Sequence, residues 1–206
     1  QTSKIFRYVG SGAIINGNRI LTSAHVVSGA KFLEVQKEND PKKYIANVKY
    51  ISHQADLAIV EVQDRNFFKG TKPLKLNENV KTRDEITVLG YPLGGQSIST
   101  TTGVISRIEY TSYVWSAEQL LAIQVDAAIN SGNSGGPAID KNGDIVGIAM
   151  MSLKNASNIS YIVPSVIINT FLKDVEDGKV DGFGEDGLSV NFIRNDSVKE
   201  YFGLQD

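Results

Sequence analysis

Three residues of this chain have the chemistry to break an acyl bond, and each lies in its own apolar, turn-flanked segment. Ser134 sits within Gly132-Asn133-Ser134-Gly135-Gly136-Pro137, His25 within Leu21-Thr22-Ser23-Ala24-His25-Val26, and Asp56 within Ala55-Asp56-Leu57-Ala58-Ile59. A hydroxyl is a weak nucleophile at neutral pH. It needs an imidazole to take its proton and a buried carboxylate to hold that imidazole in the right tautomer. The glycines around Ser134 predict a tight turn that aims backbone N–H groups of the Gly132-Asn133-Ser134 run, those of Gly132 and Ser134 foremost, at one point where an oxyanion would develop.

The elements that must hold these groups are short and β-rich as far as about Pro164. Periodicity and turn chemistry predict strands at Gly12–Ile15, Arg19–Ser23, Phe32–Gln36, Tyr44–Ile51, Leu57–Val62, Glu85–Leu89, Ile98–Ile105, Leu121–Asp126, Pro137–Ile139, Asp144–Met151 and Ser160–Val163. Asn16-Gly17-Asn18 and Asn142-Gly143 supply hairpin turns. Many short strands with little helix predict a closed or sandwiched all-β architecture. The one helix of any length is Pro164–Val175, with Val166, Ile167, Phe171 and Val175 on its apolar face, Ser165 as cap and Gly178 just past its end. Beyond it the acidic, Gly-rich 178–187 reads as a linker. Residues 188–206, a strand-like Leu188–Ile193 and a Ser197-x-x-Glu200 capping box, read as the opening of a second domain.

Composition bounds the function. The 206 residues, 41% hydrophobic and 21% charged, can bury a substantial core. A net charge of −2 with the signs interspersed offers no basic face for nucleic acid or an anionic membrane. The absence of cysteine removes disulfides, thiolate catalysis and Cys-based metal sites, and no apolar run approaches the roughly 20 residues of a membrane span. The start at Gln1 predicts a mature or trimmed product.

Each candidate has a plainer reading. Ser134 could be an ordinary turn serine and Asp56 a surface carboxylate. His53, three residues before Asp56, competes with His25 and suggests a metal pair, but two ligands without a third make a poor site, so no metal and no cofactor is expected. His25 instead follows a buried strand running into a turn, where a rigid scaffold would hold a base. Asp140-Lys141-Asn142-Gly143-Asp144 mimics half a calcium loop, yet Ile145 stands where Gly is needed and Met151 where Glu is needed, which predicts a hairpin turn. Gly90–Gly95 lacks the Lys-Ser/Thr of a phosphate loop and is expected to form a cleft wall. The sequons at Asn155, Asn158 and Asn195 carry no further context.

Taken together, Ser23-Ala24-His25-Val26, Ala55-Asp56-Leu57-Ala58-Ile59, Gly90-Tyr91-Pro92-Leu93-Gly94 and the run from Gln124 to Pro137 resemble the HtrA/Deg serine proteases. Ser106-Arg107-Ile108-Glu109 and Ser152-Leu153-Lys154 are most similar to the plant-organellar branch and its bacterial relatives. The resemblance covers roughly residues 10 to 206. It implies a chymotrypsin-like double β-barrel over 1–177 and a PDZ domain beginning at 188. It also implies hydrolysis of unfolded or damaged proteins and an extracytoplasmic or organellar home. A homo-oligomer, a trimer or a multiple of trimers, would be contacted through Ile5, Phe6 and Tyr8. The loop from Ile129 to Ser134 would switch activity through the peptide between Ser131 and Gly132, informed by a sensor loop at Ile108–Glu118 carrying Tyr110, Tyr113 and Trp115. Ala128 would floor the specificity pocket, lined by Ile129, Met150 and Met151, with Ala149–Met151 as the substrate-pairing edge and small or medium aliphatic residues preferred. A chaperone-like binding module without turnover, or a processing protease with one target, would share the same residues.

Overall fold

Short runs between turns, some alternating like Lys43–Ser52 and some apolar almost throughout like Leu57–Val62, form strands wherever the sequence predicts them, and the strands curl into two units. The structure is a computed structural model that describes residues 8–91, 97–130, 132–152 and 159–184, the last two residues of the third span as backbone alone. The first unit comprises β1 (Ala13–Ile15), β2 (Arg19–Thr22), β3 (Leu33–Gln36), β4 (Lys43–Ser52) and β5 (Leu57–Val62). Its antiparallel order is β1-β2-β5-β4-β3, a curled five-stranded sheet. The second comprises β6 (Glu85–Gly90), β7 (Ser99–Ser112), β8 (Gln119–Val125), β9 (Pro137–Ile139), β10 (Ile145–Ser152) and β11 (Ser160–Pro164), closed into a barrel in the order β10-β11-β8-β7-β6-β9. This is the chymotrypsin-like double barrel that the resemblance implies, with one barrel closed and the other a half-barrel.

Two boundaries differ from expectation in ways that matter for the site. β7 runs on past Ile105 to Ser112, bending at a bulge between Ile105 and Arg107 and pairing its far half with β8. Residues 108–112, expected as loop, are therefore strand, and only Tyr113–Glu118 connect β7 to β8. A four-residue helix, α1 (Ala24–Val27), follows β2 where the sequence shows only a turn.

The core has three parts. Ile20, Val60 and Phe67 lie among the residues filling the first sheet, and Ile86, Val125 and Ile162 among those filling the closed barrel. A third cluster joins the two units: Ile15, Leu21, Leu57 and Ile59 meet Ile145, Ile148, Met150 and Tyr161. The helix α2 (Ser165–Asp174) adds Ile168 and Phe171 to this junction. Its buried face is therefore Ile168, Phe171 and Val175, while Val166 is exposed. Ser165 does not cap α2. Its hydroxyl donates to the Ile145 carbonyl at 2.6 Å and ties the helix to β10. The chain between the units is laced in by Leu74 N–H to Ile14 O and Ile145 N–H to Lys75 O. Full burial of a Leu, Ile or Phe side chain contributes about 1.5–3 kcal/mol, so this junction fixes the two units against each other.

The Asp140–Asp144 segment is a hairpin turn. The Asn142 and Asp144 N–H groups both donate to Asp140 Oδ1, and Gly143 takes φ 82°. The expected second-domain opening at 188–206, the sequons at Asn155, Asn158 and Asn195, Ile5, Phe6 and the Pro92–Gly95 part of the cleft wall lie outside the described residues. Among the described residues no helix is long and apolar enough to cross a membrane.

Candidate active site

Asp56 is placed by strain as much as by packing. It adopts φ 53°, a left-handed conformation at the turn between β4 and β5 that costs a non-glycine residue about 1–3 kcal/mol. Its side chain is 1% exposed. An ionised carboxylate there must find donors, and α1 supplies them: His25 N–H donates to Oδ1 at 2.9 Å. The His25 ring lies with Nδ1 at 2.7 Å from Oδ2 and 3.0 Å from Oδ1. A carboxylate can only accept, so Nδ1 carries the proton and Nε2 is left bare as a base. The Ala24 N–H to Asp56 O bond, at 3.1 Å, clamps α1 onto the same turn. His53 is exposed and contributes only its backbone carbonyl to this turn. The Asp56 carboxylate therefore faces His25 rather than a metal pair with His53.

Ser134 arrives from the closed barrel at the junction between the units. A 3₁₀-type turn, Asn133 N–H to Asn130 O at 2.9 Å, precedes it, and Gly136 N–H to Asn133 O at 2.9 Å follows. The second bond fixes the peptide between Asn133 and Ser134, and with it the direction of the Ser134 N–H. Two glycines are required here. Gly132 has φ 102°; Gly135 has φ 81°, and a Cβ on it would run into Thr22 Oγ1 and the Ser11 carbonyl. That close approach lets the Ser134 turn lie against β2 and α1, where Gly10 is wedged between the Val26 side chain and the Ser134 carbonyl. Among the described residues the N–H groups of Gly132 and Ser134 donate to no other described group, whereas the Asn133 N–H is committed to Asn130. Asn133 is thus a spacer in the expected oxyanion hole. Among the described residues its fully buried side-chain amide has no hydrogen-bond partner.

One residue holds much of this turn and carries no sequence signal. Ser11, buried just before β1, accepts from Tyr91 N–H at 2.8 Å and donates to the Gly132 carbonyl at 2.7 Å through the same hydroxyl. Its own N–H donates to the Ser134 carbonyl at 2.9 Å, and its carbonyl accepts from Thr22 Oγ1 at 2.7 Å. Its partners in the turn lie more than a hundred positions along the chain, beyond the reach of any local pattern.

The expected specificity residues fall differently. Ala128 is exposed, its carbonyl held by Thr101 Oγ1 at 2.8 Å. Ile129, Ala149 and Met150 are closed into the core, because Met150 packs in the junction and the other two in the closed barrel. They do not offer open apolar surface as expected. The Met151 side chain and Ser131 lie outside the described residues. The edge of β10 is also partly taken: Ala149 N–H donates to Gly136 O and Ala149 O accepts from Gly135 N–H, each at 2.8 Å. Among the described residues β9 pairs with β10 only as far as Ile148, so the strand's unpaired flank begins at Met150.

Tyr113 is wholly buried at the start of the β7–β8 loop, with its hydroxyl donating to the Leu121 carbonyl. Burial, with the Asp56 carboxylate nearby, holds its phenol well above the ordinary tyrosine range and keeps it neutral.

The family model for the trypsin-like peptidase domain matches residues 10–148. Among curated proteins, the chain is 45% identical over 95% of its length to "Protease Do-like 4, mitochondrial" of Arabidopsis thaliana, covering 38% of that protein. It is 39% identical over 97% of its length to "Protease Do-like 2, chloroplastic" of the same plant, covering 33%. The chain therefore spans between 33% and 38% of these relatives' length. Among solved structures, "HtrA-type protease AlgW with decapeptide" superposes with a TM-score of 0.76 at 26% identity, over 96% of this chain and 60% of that one.

Proposed function

The chain belongs to the HtrA/Deg serine proteases, and from that premise we propose that it is a serine endopeptidase acting through Ser134, His25 and Asp56. The observation that carries the reading is the Asp56–His25 pair, built at the cost of a strained, buried aspartate, with the glycine-bound Ser134 turn lying against Thr22 and Ser23 just before His25. Ser134 Oγ bonds to the scissile carbonyl carbon as its proton passes to His25 Nε2. The tetrahedral oxyanion lies against the Gly132 and Ser134 N–H groups, each such donor being worth about 10²–10³ in rate. The C–N bond then breaks as Nε2 returns the proton to the leaving amine. Water attacks the acyl ester by the same path, giving up a proton to Nε2, and the proton returns to Ser134 Oγ. Asp56 orients the ring and stabilises the imidazolium without itself becoming protonated. No direct His25–Ser134 hydrogen bond is formed among the described residues. Such contacts often tighten only when substrate is bound.

The substrates we propose are unfolded polypeptides, in keeping with the family, added as a strand along the free flank of β10 from Met150 onward. Ala128 itself carries no carboxylate, which favours small or medium aliphatic side chains over charged ones. Tyr8 is 82% exposed, and we assign this end of the chain to contacts within a homo-oligomer.

A fluorophosphonate probe with intact-mass detection tests the activity. One adduct on the protein, lost in Ser134→Ala while the melting temperature stays the same, is the expected result. A protein that takes no adduct and leaves casein uncut would be a binding module instead.

A further inference from the structure

We propose that Trp115 is a positioning residue for His25, acting on the plane of its ring; this rests on the protease reading above. Asp56 grips His25 at one ring edge only, through Nδ1. Contacts along one edge leave the tilt of the ring about that axis open, and the χ2 well of histidine is broad. Trp115 closes that freedom. Its indole lies 4.8 Å from the imidazole, centroid to centroid, with the planes only 14° apart.

The indole is itself held by a braced loop. Tyr113 N–H donates to Glu118 O, Ala117 N–H to Tyr113 O and Ser112 Oγ to Ala117 O, at 2.9, 2.7 and 3.1 Å. Ala117 takes φ 62° to close the turn, and the buried Tyr113 side chain anchors it. Ser116 Oγ then donates to the Gln54 carbonyl at 2.9 Å, two residues before Asp56. The two groups that orient His25, one at its edge and one at its face, are thereby bonded into a single unit spanning both halves of the fold. A residue 59% exposed adds little to the core. What Trp115 contributes is a flat wall beside the base. Once His25 has taken the Ser134 proton, that wall presents an aromatic face to a cation.

The test uses Trp115→Ala and Trp115→Phe. The chain has two histidines, so their ring-proton resonances are readily separated, and His53 is an internal control. In Trp115→Ala the His25 ring protons should move downfield as the indole's shielding is lost, while those of His53 stay in place. With a peptide substrate kcat should fall about three- to tenfold, the range set by one aromatic stack, with KM unchanged, and Trp115→Phe should recover most of it. In a His25→Ala background the same Trp115→Ala change should have no further effect on the residual rate, because it acts through the ring. An unmoved His25 resonance, an unchanged kcat, or a rise in KM alone would overturn the proposal. Inactivity of the unsubstituted protein toward both peptide and fluorophosphonate would instead sink the protease reading, and this proposal with it.

Discussion

Removing the Ser11 hydroxyl should expose how much the Ser134 turn depends on a residue far away in the chain. Ser11→Ala deletes one atom that serves two backbone groups, the Gly132 carbonyl at 2.7 Å and the Tyr91 N–H at 2.8 Å. The residue is 7% exposed, so bulk water does not simply replace it. Each orphaned group costs about 1–3 kcal/mol, and some relaxation is certain, which gives a loss of about 2–4 kcal/mol. For a chain of this size that lowers Tm by about 5–15 °C. The bonds through the Ser11 backbone, to Ser134 O and from Thr22 Oγ1, survive the substitution. Ser134 therefore keeps its place while the Gly132–Asn133 peptide loses the anchor on its carbonyl, and rotation about the Gly132 Cα then turns the Gly132 N–H of the preceding peptide, so the damage should appear as a misaimed oxyanion donor. One such donor is worth about 10²–10³, so kcat should drop by more than about tenfold and by no more than that ceiling, with KM little changed. Differential scanning calorimetry and peptide-hydrolysis kinetics on the same preparation measure both quantities. A Tm within experimental error of the parent, together with an unchanged kcat, would refute the assignment of Ser11 as the brace of this turn.

Replacing His25 by alanine should cost several orders of magnitude in kcat/KM and His53→Ala should be close to neutral; comparable losses in a peptide assay would remove His25 as the base. Ala128→Asp should redirect cleavage of an unfolded substrate toward Lys and Arg, and an unchanged pattern among the sequenced products would mean that Ala128 does not floor the pocket. Asp140 is partly buried, which raises its pKa, but bonds from Asn77, Asp144 and Asn142 outweigh that and hold it below the usual carboxylate value. A depressed folded pKa gives stability that is present above the unfolded value of about 4 and fades as pH falls through the folded one. Asp140→Ala should therefore lower Tm at pH 7, and the gap from the parent should narrow below about pH 4 in thermal melts; a gap that stays constant with pH would show that the ionised carboxylate is not what holds the hairpin.

What the sequence determines by itself is whatever local chemistry can encode. Short apolar or alternating runs between turn residues set the strands, with Leu57–Val62 and Pro137–Ile139 at the bounds expected for them. Turn glycines mark the Ser134 loop because a left-handed backbone leaves few other choices, and the resemblance of its flanks identifies the family. Tertiary structure decided the rest. The β7 strand outruns its apolar pattern because β8 supplies partners as far as Gln119, and exposed residues such as Tyr110 pair by backbone regardless of side-chain type. Met150, a natural pocket residue by composition, is claimed by the junction between the units. Ser11, the strain at Asp56 and the stack of Trp115 on His25 join segments that are distant in the chain, and only closing the two units against each other brings those partners within hydrogen-bond and van der Waals range.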